Sequence, residues 1–252
     1  MKHFYQKICN FVTQFKIKTM ACILNIETAT EVCSVTISQD NNLIFKKEDT
    51  EGPSHAVLLG IFVNEAMENI RSKEIKLDAV AVSCGPGSYT GLRIGVSEAK
   101  GLCFGLDIPL IAINTLKIMA HGVLDTQNID KETLLCPMID ARRMEVYDTL
   151  FDSNLEEIRP VSADIIDENS FAELIKENKI IFFGNGAAKC IDVLPKENTF
   201  FLEGIYPKAL DMIKLSEDAY KNRDFVDVAY FEPFYLKEFI ATTPKNKVLG
   251  NI

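Results

Sequence analysis

Short apolar runs and helically spaced apolar positions alternate along the first half of the chain. Apolar and polar residues alternate through 32–38, and apolar runs at 21–26 and 43–47 flank this segment across polar turns. The spacing predicts a meander of three antiparallel strands. Apolar residues at helical spacing then predict a helix over 54–71, and Ser54 suits its N-cap position.

A glycine-rich loop connects the next predicted strand to the next predicted helix. The strand covers 77–82, the loop begins at Ser83, and apolar periodicity predicts the helix over 90–106. A further apolar run at 108–113 predicts a fifth strand. The loop therefore lies at the carboxyl end of a strand, where α/β folds place ligand or partner sites.

The second half of the chain repeats this order of elements in a looser form. A helix over 114–122, capped by Asn114, separates the halves. The elements predicted after it are strands at 133–139, 144–150 and 156–160, a short helix at 170–177, a strand at 180–183, a weakly patterned helix at 187–193, a short strand at 200–202 and an amphipathic helix at 207–221.

The recurring order βββαβα predicts a fold as well as elements. It is the repeating unit of the actin-like, sugar-kinase-like and Hsp70-like (ASKHA) class of α/β proteins. We expect an N-terminal lobe over 21–122 and a degenerate C-terminal lobe over 123–240, with a frayed tail at 241–252. No repeat is visible at the level of individual residues.

Residues 1–20 differ in character from the rest of the chain. They are basic, with aromatic residues interspersed, and contain no apolar run of signal-peptide length. Met20 stands directly before the first strand. This favours an upstream start codon or a disordered tail over a targeting segment. No stretch anywhere in the sequence is long and apolar enough to predict a transmembrane helix.

Composition and charge narrow the functional classes. The chain has 252 residues, 47% of them hydrophobic, and a net charge of −9. An acidic protein does not attract a polyphosphate backbone by itself, so any nucleic acid would be held by a partner. Seven cysteines without C-x-x-C spacing predict a reducing, cytoplasmic location. Three scattered histidines argue against a zinc site.

The glycine-rich loop matches neither common nucleotide-binding fingerprint. It lacks the P-loop lysine, and Gly85-x-Gly87-x-x-x-Gly91 has one residue too many for a dinucleotide motif. Gly85 and Gly87 permit positive φ in a tight turn, and Ser88 or Thr90 could cap the helix. Free N–H groups at the helix start would suit an anion. The loop is thus either a phosphate site or a ligand-free turn.

The second predicted helix contains an unusual number of small residues. Gly91, Gly95 and Ala99 recur at every fourth position, as do Gly101 and Gly105. An interior glycine costs a helix about 1 kcal/mol relative to alanine. Such residues indicate close approach of another backbone, which can belong to a partner helix or to the chain's own sheet. The spacing does not separate these two explanations.

Several motifs, spread in order over residues 22–237, resemble the TsaB (YeaZ) family. The motifs are Ile23-Leu24-Asn25-Ile26-Glu27-Thr28-Ala29, Ser54-His55, Gly85-Pro86-Gly87-Ser88-Tyr89-Thr90-Gly91-Leu92-Arg93-Ile94-Gly95, Ile139-Asp140-Ala141-Arg142-Arg143-x-Glu145-Val146-Tyr147, Gly184-Asn185-Gly186 and Pro233-Phe234-Tyr235-Leu236-Lys237. The glycine-rich run is the most specific of them.

The resemblance implies a noncatalytic paralogue of the TsaD subunit, without a cofactor of its own. TsaD installs threonylcarbamoyl on the adenosine beside the anticodon of certain tRNAs. TsaB-type proteins pair with TsaD through the first two helices of the N-terminal lobe, and the ATPase TsaE joins the pair. A homodimer through the same helix face is a further possibility when the partner is absent, and the acidic charge of the chain predicts only indirect contact with tRNA.

Candidate site residues follow from these motifs. The residues expected at the partner interface are Ser54, His55, Leu58, Phe62, Gly91, Ile94, Gly95, Glu98, Ala99 and Leu102. The residues expected at a nucleotide or polar site are Glu27, Ser88, Arg93, Gly184 and Gly186.

Other features of the motifs argue against catalysis. TsaD-type proteins bind a metal through two histidines four residues apart, whereas His55 is followed by Leu59 at that spacing. Glu27 stands where actin-like kinases carry an acid, but the phosphate-loop glycine is missing. Asp140-Ala141-Arg142-Arg143 is either an acid with two phosphate-binding guanidinium groups or, preferably, a hairpin turn with a salt bridge. We also prefer a structural turn for Gly184-Asn185-Gly186.

Two functions are thus predicted. The first is an accessory dimerisation subunit of the tRNA-modifying complex. The alternative is a stand-alone ATPase or kinase of the actin-like class, which the order of elements and the glycine loops suggest.

Overall fold

A computed structural model describes residues 21–50 and 55–237 of the chain. The predicted extension over 1–20, the tail over 241–252 and the predicted cap Ser54 lie outside the described residues.

The N-terminal lobe is built on a five-stranded sheet. Its strands are β1 (Cys22–Glu27), β2 (Cys33–Gln39), β3 (Asn42–Asp49), β4 (Ala79–Ser83) and β5 (Leu110–Ile113). Their order across the sheet is β3-β2-β1-β4-β5. The first three are antiparallel, while β4 and β5 run parallel to β1. The predicted meander is therefore confirmed, and the ends of β1 and β4 lie side by side.

Two long helices cover one face of this sheet. They are α1 (His55–Ser72) and α2 (Tyr89–Leu106). Leu59, Val63 and Ile70 of α1 recur at helical spacing and are buried in the same cluster as Val96 of α2. Among the described residues, no helix has the length and apolar character needed to cross a membrane.

The C-terminal lobe repeats the strand order of the first. Its strands are β6 (Leu134–Asp140), β7 (Glu145–Phe151), β8 (Glu157–Ile165), β9 (Ile180–Phe183) and β10 (Thr199–Leu202). They are arranged β10-β9-β6-β7-β8, with β9 parallel to β6 and β10 parallel to β9. Both sheets therefore place the strands of the βββαβαβ unit in the same order.

The helices of the C-terminal lobe are shorter than predicted. α4 covers only Ala172–Glu177, and the helix predicted over 187–193 is a single 3-10 turn at Ala188–Cys190. This turn has no side-chain hydrogen bond at its N-cap. The helix predicted over 207–221 divides into a 3-10 turn (Ala209–Met212) and α5 (Ile213–Asn222). The expected degeneracy of this lobe is thus located in its helices.

The two lobes exchange helices. α3 (Thr115–Thr126) is capped by Asn114 as predicted, and it packs Met119 and Val123 against the C-terminal sheet. In return, Ala209 and Met212 pack on the second face of the N-terminal sheet, where α5 follows them. The lobe boundary expected between residues 122 and 123 therefore separates the two sheets. It does not separate their hydrophobic clusters, because each sheet packs against a segment from the other half of the chain.

Residues 226–237, which we call the C-terminal strap, return along the N-terminal lobe. Val226 donates a backbone hydrogen bond to the carbonyl oxygen of Leu110 (2.9 Å). Lys100 of α2 donates to the carbonyl oxygens of Ala229 (3.1 Å) and Phe231 (2.9 Å). The strap therefore runs beside α2 and ends close to the glycine-rich loop.

Candidate functional site: a helix groove and a closed pair of loops

A groove separates α1 and α2 on the outer side of the N-terminal lobe. Its volume is about 430 Å³. The residues that line it are Gly60, Val63, Asn64, Met67 and Arg71 of α1, and Glu98, Gly101, Leu102, Gly105 and Leu106 of α2. The two helices predicted to meet a partner thus form a concave, largely apolar surface.

Large apolar side chains of the same helices are exposed to solvent. Phe104 is 86% exposed, Val57 67% and Ile61 48%. Buried positions of α1, such as Leu59 and Val63, already provide its contact with the sheet. Exposed apolar side chains beyond those that the core requires, concentrated on two neighbouring helices, are typical of a protein-binding surface.

The predicted interface residues fall into two groups. Leu58, Phe62 and Ile94 are half-buried and touch the core, while Glu98 and Leu102 line the groove. His55, Gly91, Gly95 and Ala99 are buried within the lobe.

The face of α2 that carries Gly91 and Gly95 is occupied by the chain itself. A Cβ atom at Gly91 would overlap the carbonyl oxygen of Thr28, and one at Gly95 would overlap the hydroxyl group of Thr28. These two glycines therefore allow close approach of the loop after β1, which corrects the expectation that they face a partner. By contrast, a Cβ atom at Gly60, Gly101 or Gly105 would meet no heavy atom within 4 Å.

His55 is a structural contact at the start of α1. Its side chain is 7% exposed, and Nε2 lies 2.6 Å from the carbonyl oxygen of Thr30, to which it donates a hydrogen bond. The imidazole thus ties α1 to the loop after β1 and does not face a partner. In the part of the chain that the structure describes, no group of three His, Cys, Asp or Glu side chains could hold a metal ion.

The loop after β1 and the glycine-rich loop are hydrogen-bonded to each other. Ser88 N–H donates to the carbonyl oxygen of Ala29 (2.7 Å), and the Thr28 hydroxyl donates to the carbonyl oxygen of Gly91 (2.8 Å). A Cβ atom at Gly87 would lie 2.5 Å from the Ala29 oxygen. The two loops are therefore in direct contact with each other at these atoms.

Glu27 fills the position that a ligand would need. Its Oε1 accepts a hydrogen bond from the Ala29 N–H (2.6 Å), so this backbone donor is not available to an anion. The side chain is fully buried, and burial raises the pKa of its carboxyl group to about 7. In its ionised form the Glu27 carboxyl group would also repel a phosphate group.

The remaining polar-site candidates have structural roles. Ser88 is the N-cap of α2 and accepts a hydrogen bond from Gly91 N–H (3.3 Å), which confirms one of the two predicted caps. Arg93 donates to the Tyr89 hydroxyl (3.1 Å). A Cβ atom at Gly184 would overlap the Met138 carbonyl oxygen, and one at Gly186 would lie 2.9 Å from the Ile139 carbonyl carbon.

These candidates do not converge on one cavity. None of Glu27, Ser88, Arg93, Gly184 and Gly186 lines the groove. They are equally absent from the lining of a second cavity of about 700 Å³, which lies in the C-terminal lobe around charged residues such as Asp130 and Lys179.

Sequence reasoning missed the most exposed residues of the groove helices. Val57, Ile61 and Phe104 lie outside the stripe of positions that α1 and α2 bury. The signal was present, because these apolar residues exceed what a helix needs for one sheet contact. Gly60 was missed as well, since it stands alone in its helix.

The strand order of both sheets and the exchanged helices define a two-lobed protein of the actin-like ASKHA class. The family model described as "TsaD: tRNA N6-adenosine threonylcarbamoyltransferase" matches residues 50–238. The solved structure of YeaZ from Pseudomonas aeruginosa has the same fold, with a TM-score of 0.71 and 23% identity, over 86% of this chain and 100% of that one.

Individual relatives with curated names identify the family more narrowly than the fold does. The tRNA threonylcarbamoyladenosine biosynthesis protein TsaB of Escherichia coli is 32% identical over 87% of this chain and 96% of its own length. The protein of the same name from Haemophilus influenzae is 28% identical over 85% of this chain and 93% of its own. The chain belongs to the TsaB (YeaZ) family.

Proposed function

We propose that this protein is an accessory subunit in the biosynthesis of threonylcarbamoyladenosine in tRNA. Its relatives carry that function in their name, and the chain covers nearly their whole length. The observation that carries the proposal is the groove between α1 and α2 together with the exposed apolar residues that these two helices carry beside it. The groove is the surface on which a TsaD-type catalytic subunit docks.

The groove suits a helix of such a partner. Gly60, Gly101 and Gly105 present bare backbone with no neighbouring heavy atom, so another helix can approach closely. Phe104 and Ile61 would lose water on contact, and each buried apolar side chain of this size contributes about 1.5–3 kcal/mol. The same self-complementary surface would form an isologous homodimer when the catalytic subunit is absent.

The subunit is proposed to be noncatalytic. The loop after β1 and the glycine-rich loop are hydrogen-bonded to each other. The Glu27 carboxyl group accepts the hydrogen bond that the Ala29 N–H donates. A stand-alone ATPase would need space and donors at this place for a phosphate. Threonylcarbamoyl transfer and ATP hydrolysis therefore belong to the partners, a TsaD-type subunit and a TsaE-type ATPase. We place the complex in the cytoplasm.

The groove is tested by mixing the chain with the TsaD-type subunit of its own organism. We expect a stable heterodimer in size-exclusion chromatography, and we expect Phe104→Asp to weaken it at least tenfold because the charge would be desolvated on docking. Phe200→Asp is the matched control, since Phe200 is 51% exposed on β10 in the other lobe. Unchanged affinity of the Phe104 variant would refute the groove as the docking surface.

The noncatalytic role is tested with the purified chain alone. It should hydrolyse ATP no faster than background, whereas the reconstituted complex should modify tRNA only when the chain is present. ATP turnover by the chain alone that is lost in a Glu27→Gln variant would instead support the stand-alone enzyme.

A further inference from the structure

The tip of the β6–β7 hairpin presents two arginines in an unfavourable backbone conformation. Arg142 has φ 73° and Arg143 has φ 52°, both left-handed. Asn and Gly adopt this conformation more readily than residues with larger side chains. A residue with a Cβ atom in this region costs roughly 1 kcal/mol or more. The turn therefore carries arginine at two positions where the backbone alone would favour other residues.

Both arginine side chains are exposed. The acids of the hairpin are engaged by lysines, because Asp140 pairs with Lys189 and Glu145 pairs with Lys237. Within the described ranges, neither Arg142 nor Arg143 forms an ion pair with a carboxylate. The tip thus keeps two free positive charges in a chain whose net charge is −9.

Contacts connect this tip to the start of α2. Lys237, at the end of the C-terminal strap, reaches Glu145 of the hairpin. Two residues earlier, the ring centroid of Tyr235 lies 4.8 Å from that of Tyr89. The guanidinium carbon of Arg93 lies 5.4 Å from the Tyr89 ring centroid. Two adjacent tyrosine rings, with Arg93 on one side and Lys237 on the other, therefore connect α2 to the hairpin.

We propose that this basic edge, formed by Arg93, Tyr89, Tyr235, Lys237, Arg142 and Arg143, contacts the phosphate backbone of tRNA in the assembled complex. The inference rests on the proposed function, which brings tRNA to this protein. It revises the expectation that tRNA is met only through the partner. That expectation came from the net charge of the whole chain, whereas phosphate groups are contacted by the charges of one local region of the surface.

The chemistry of the edge favours RNA over other anions. Guanidinium groups bind phosphate oxygens bidentately, and aromatic faces interleaved with cations suit a nucleic-acid strand. Neither described cavity is lined by Arg142 or Arg143, so the tip does not enclose a small nucleotide.

The test replaces the two arginines without disturbing the turn. Arg142→Asn combined with Arg143→Gly places at these two positive-φ positions residues that tolerate the conformation, so the variant should fold at least as well as the wild type. The complex with the TsaD-type subunit is titrated with unmodified tRNA transcript at several salt concentrations. We expect affinity to fall several-fold and the slope of log K against log salt to decrease by about 2, for two lost phosphate contacts.

The matched control is Lys131→Gln combined with Lys196→Gln. This control also removes two positive charges. They lie at exposed positions before β6 and β10, at the opposite end of the C-terminal sheet. The control should bind tRNA as the wild type does. Equal affinity and slope for the tip variant and the wild type would overturn the inference while leaving the proposed function intact.

Two other outcomes would also overturn it. If the tip variant loses affinity for the TsaD-type subunit rather than for tRNA, the arginines bind a carboxylate of that partner. If wild-type chain forms no complex with that subunit at all, the proposed function fails, and this inference fails with it.

Discussion

At the scale of single residues, Glu27 is an acidic side chain whose carboxyl group is bonded within the chain. The side chain folds back onto the Ala29 N–H at 2.6 Å and is fully buried. Burial raises the pKa of its carboxyl group to about 7, and it raises that of Asp211 to about 6. Both groups therefore favour the neutral form in the folded state. Their contribution to stability is fully present below their unfolded pKa values and is lost as pH rises through the folded ones.

Glu27→Gln should therefore stabilise the protein at alkaline pH. Gln keeps an oxygen that can accept the Ala29 hydrogen bond but carries no charge to bury. We expect the free energy of unfolding to exceed that of the wild type by about 2–3 kcal/mol near pH 8, and the difference to disappear near pH 4.5. Urea unfolding at both pH values measures it. Glu177→Gln, at an exposed position, serves as the control, and a difference independent of pH would contradict the assignment.

At the scale of elements, α2 uses small residues for two different contacts. Gly91 and Gly95 admit the loop after β1, while Gly101 and Gly105 lie open beside the groove. The helix thus has an inner glycine face, which builds the lobe, and an outer one, which is free for a partner. Both faces have the same four-residue spacing, so only their surroundings distinguish them.

Alanine substitutions on these two faces should have opposite effects. Gly95→Ala forces a methyl group into Thr28 and should destabilise the chain by about 1–3 kcal/mol. Gly101→Ala meets no neighbour and should stabilise it by up to about 1 kcal/mol through helix propensity. Chemical denaturation of the two variants makes the comparison. Equal effects would show that Thr28 moves aside, contrary to the packing described.

At the scale of the whole molecule, the exchange of helices couples the lobes. α3 packs Ile118 against the N-terminal sheet and Met119 and Val123 against the C-terminal one, and the turn before α5 packs on the N-terminal sheet. A hydrogen bond from the Asn185 amide to Glu31 (2.9 Å) also joins the lobes. Neither sheet keeps its apolar cover without chain from the other half, so the lobes should unfold together.

A cavity in one lobe should therefore destabilise both. Phe182 is fully buried in the C-terminal lobe, and Phe182→Ala should cost about 3–5 kcal/mol. Native-state hydrogen exchange should show the same loss of protection in β1 as in β6. If β1 kept wild-type protection while β6 lost it, the lobes would be independent units.

The order of strands and helices was accessible from sequence because apolar period and turn residues are local properties. β9 was predicted at its observed bounds, Asn114 was identified as a cap, and Ser88 was one of the two caps considered for α2. The short 3-10 turn at Ala188–Cys190 was not, since a weak pattern gives no information on whether the backbone is capped. Elements with a strong apolar periodicity could be predicted from the sequence. For elements with a weak periodicity, the length could not be predicted.

The sequence by itself indicated the family and the order of strands and helices along the chain, and it predicted two helices for a partner interface, because motifs and periodicity are local properties of the chain. Only the tertiary structure decided which faces of those helices are occupied. Gly95 and Gly101 look alike in sequence, and Thr28, 67 residues before Gly95, is what separates their roles. Contacts between residues so far apart depend on packing, which local pattern does not encode.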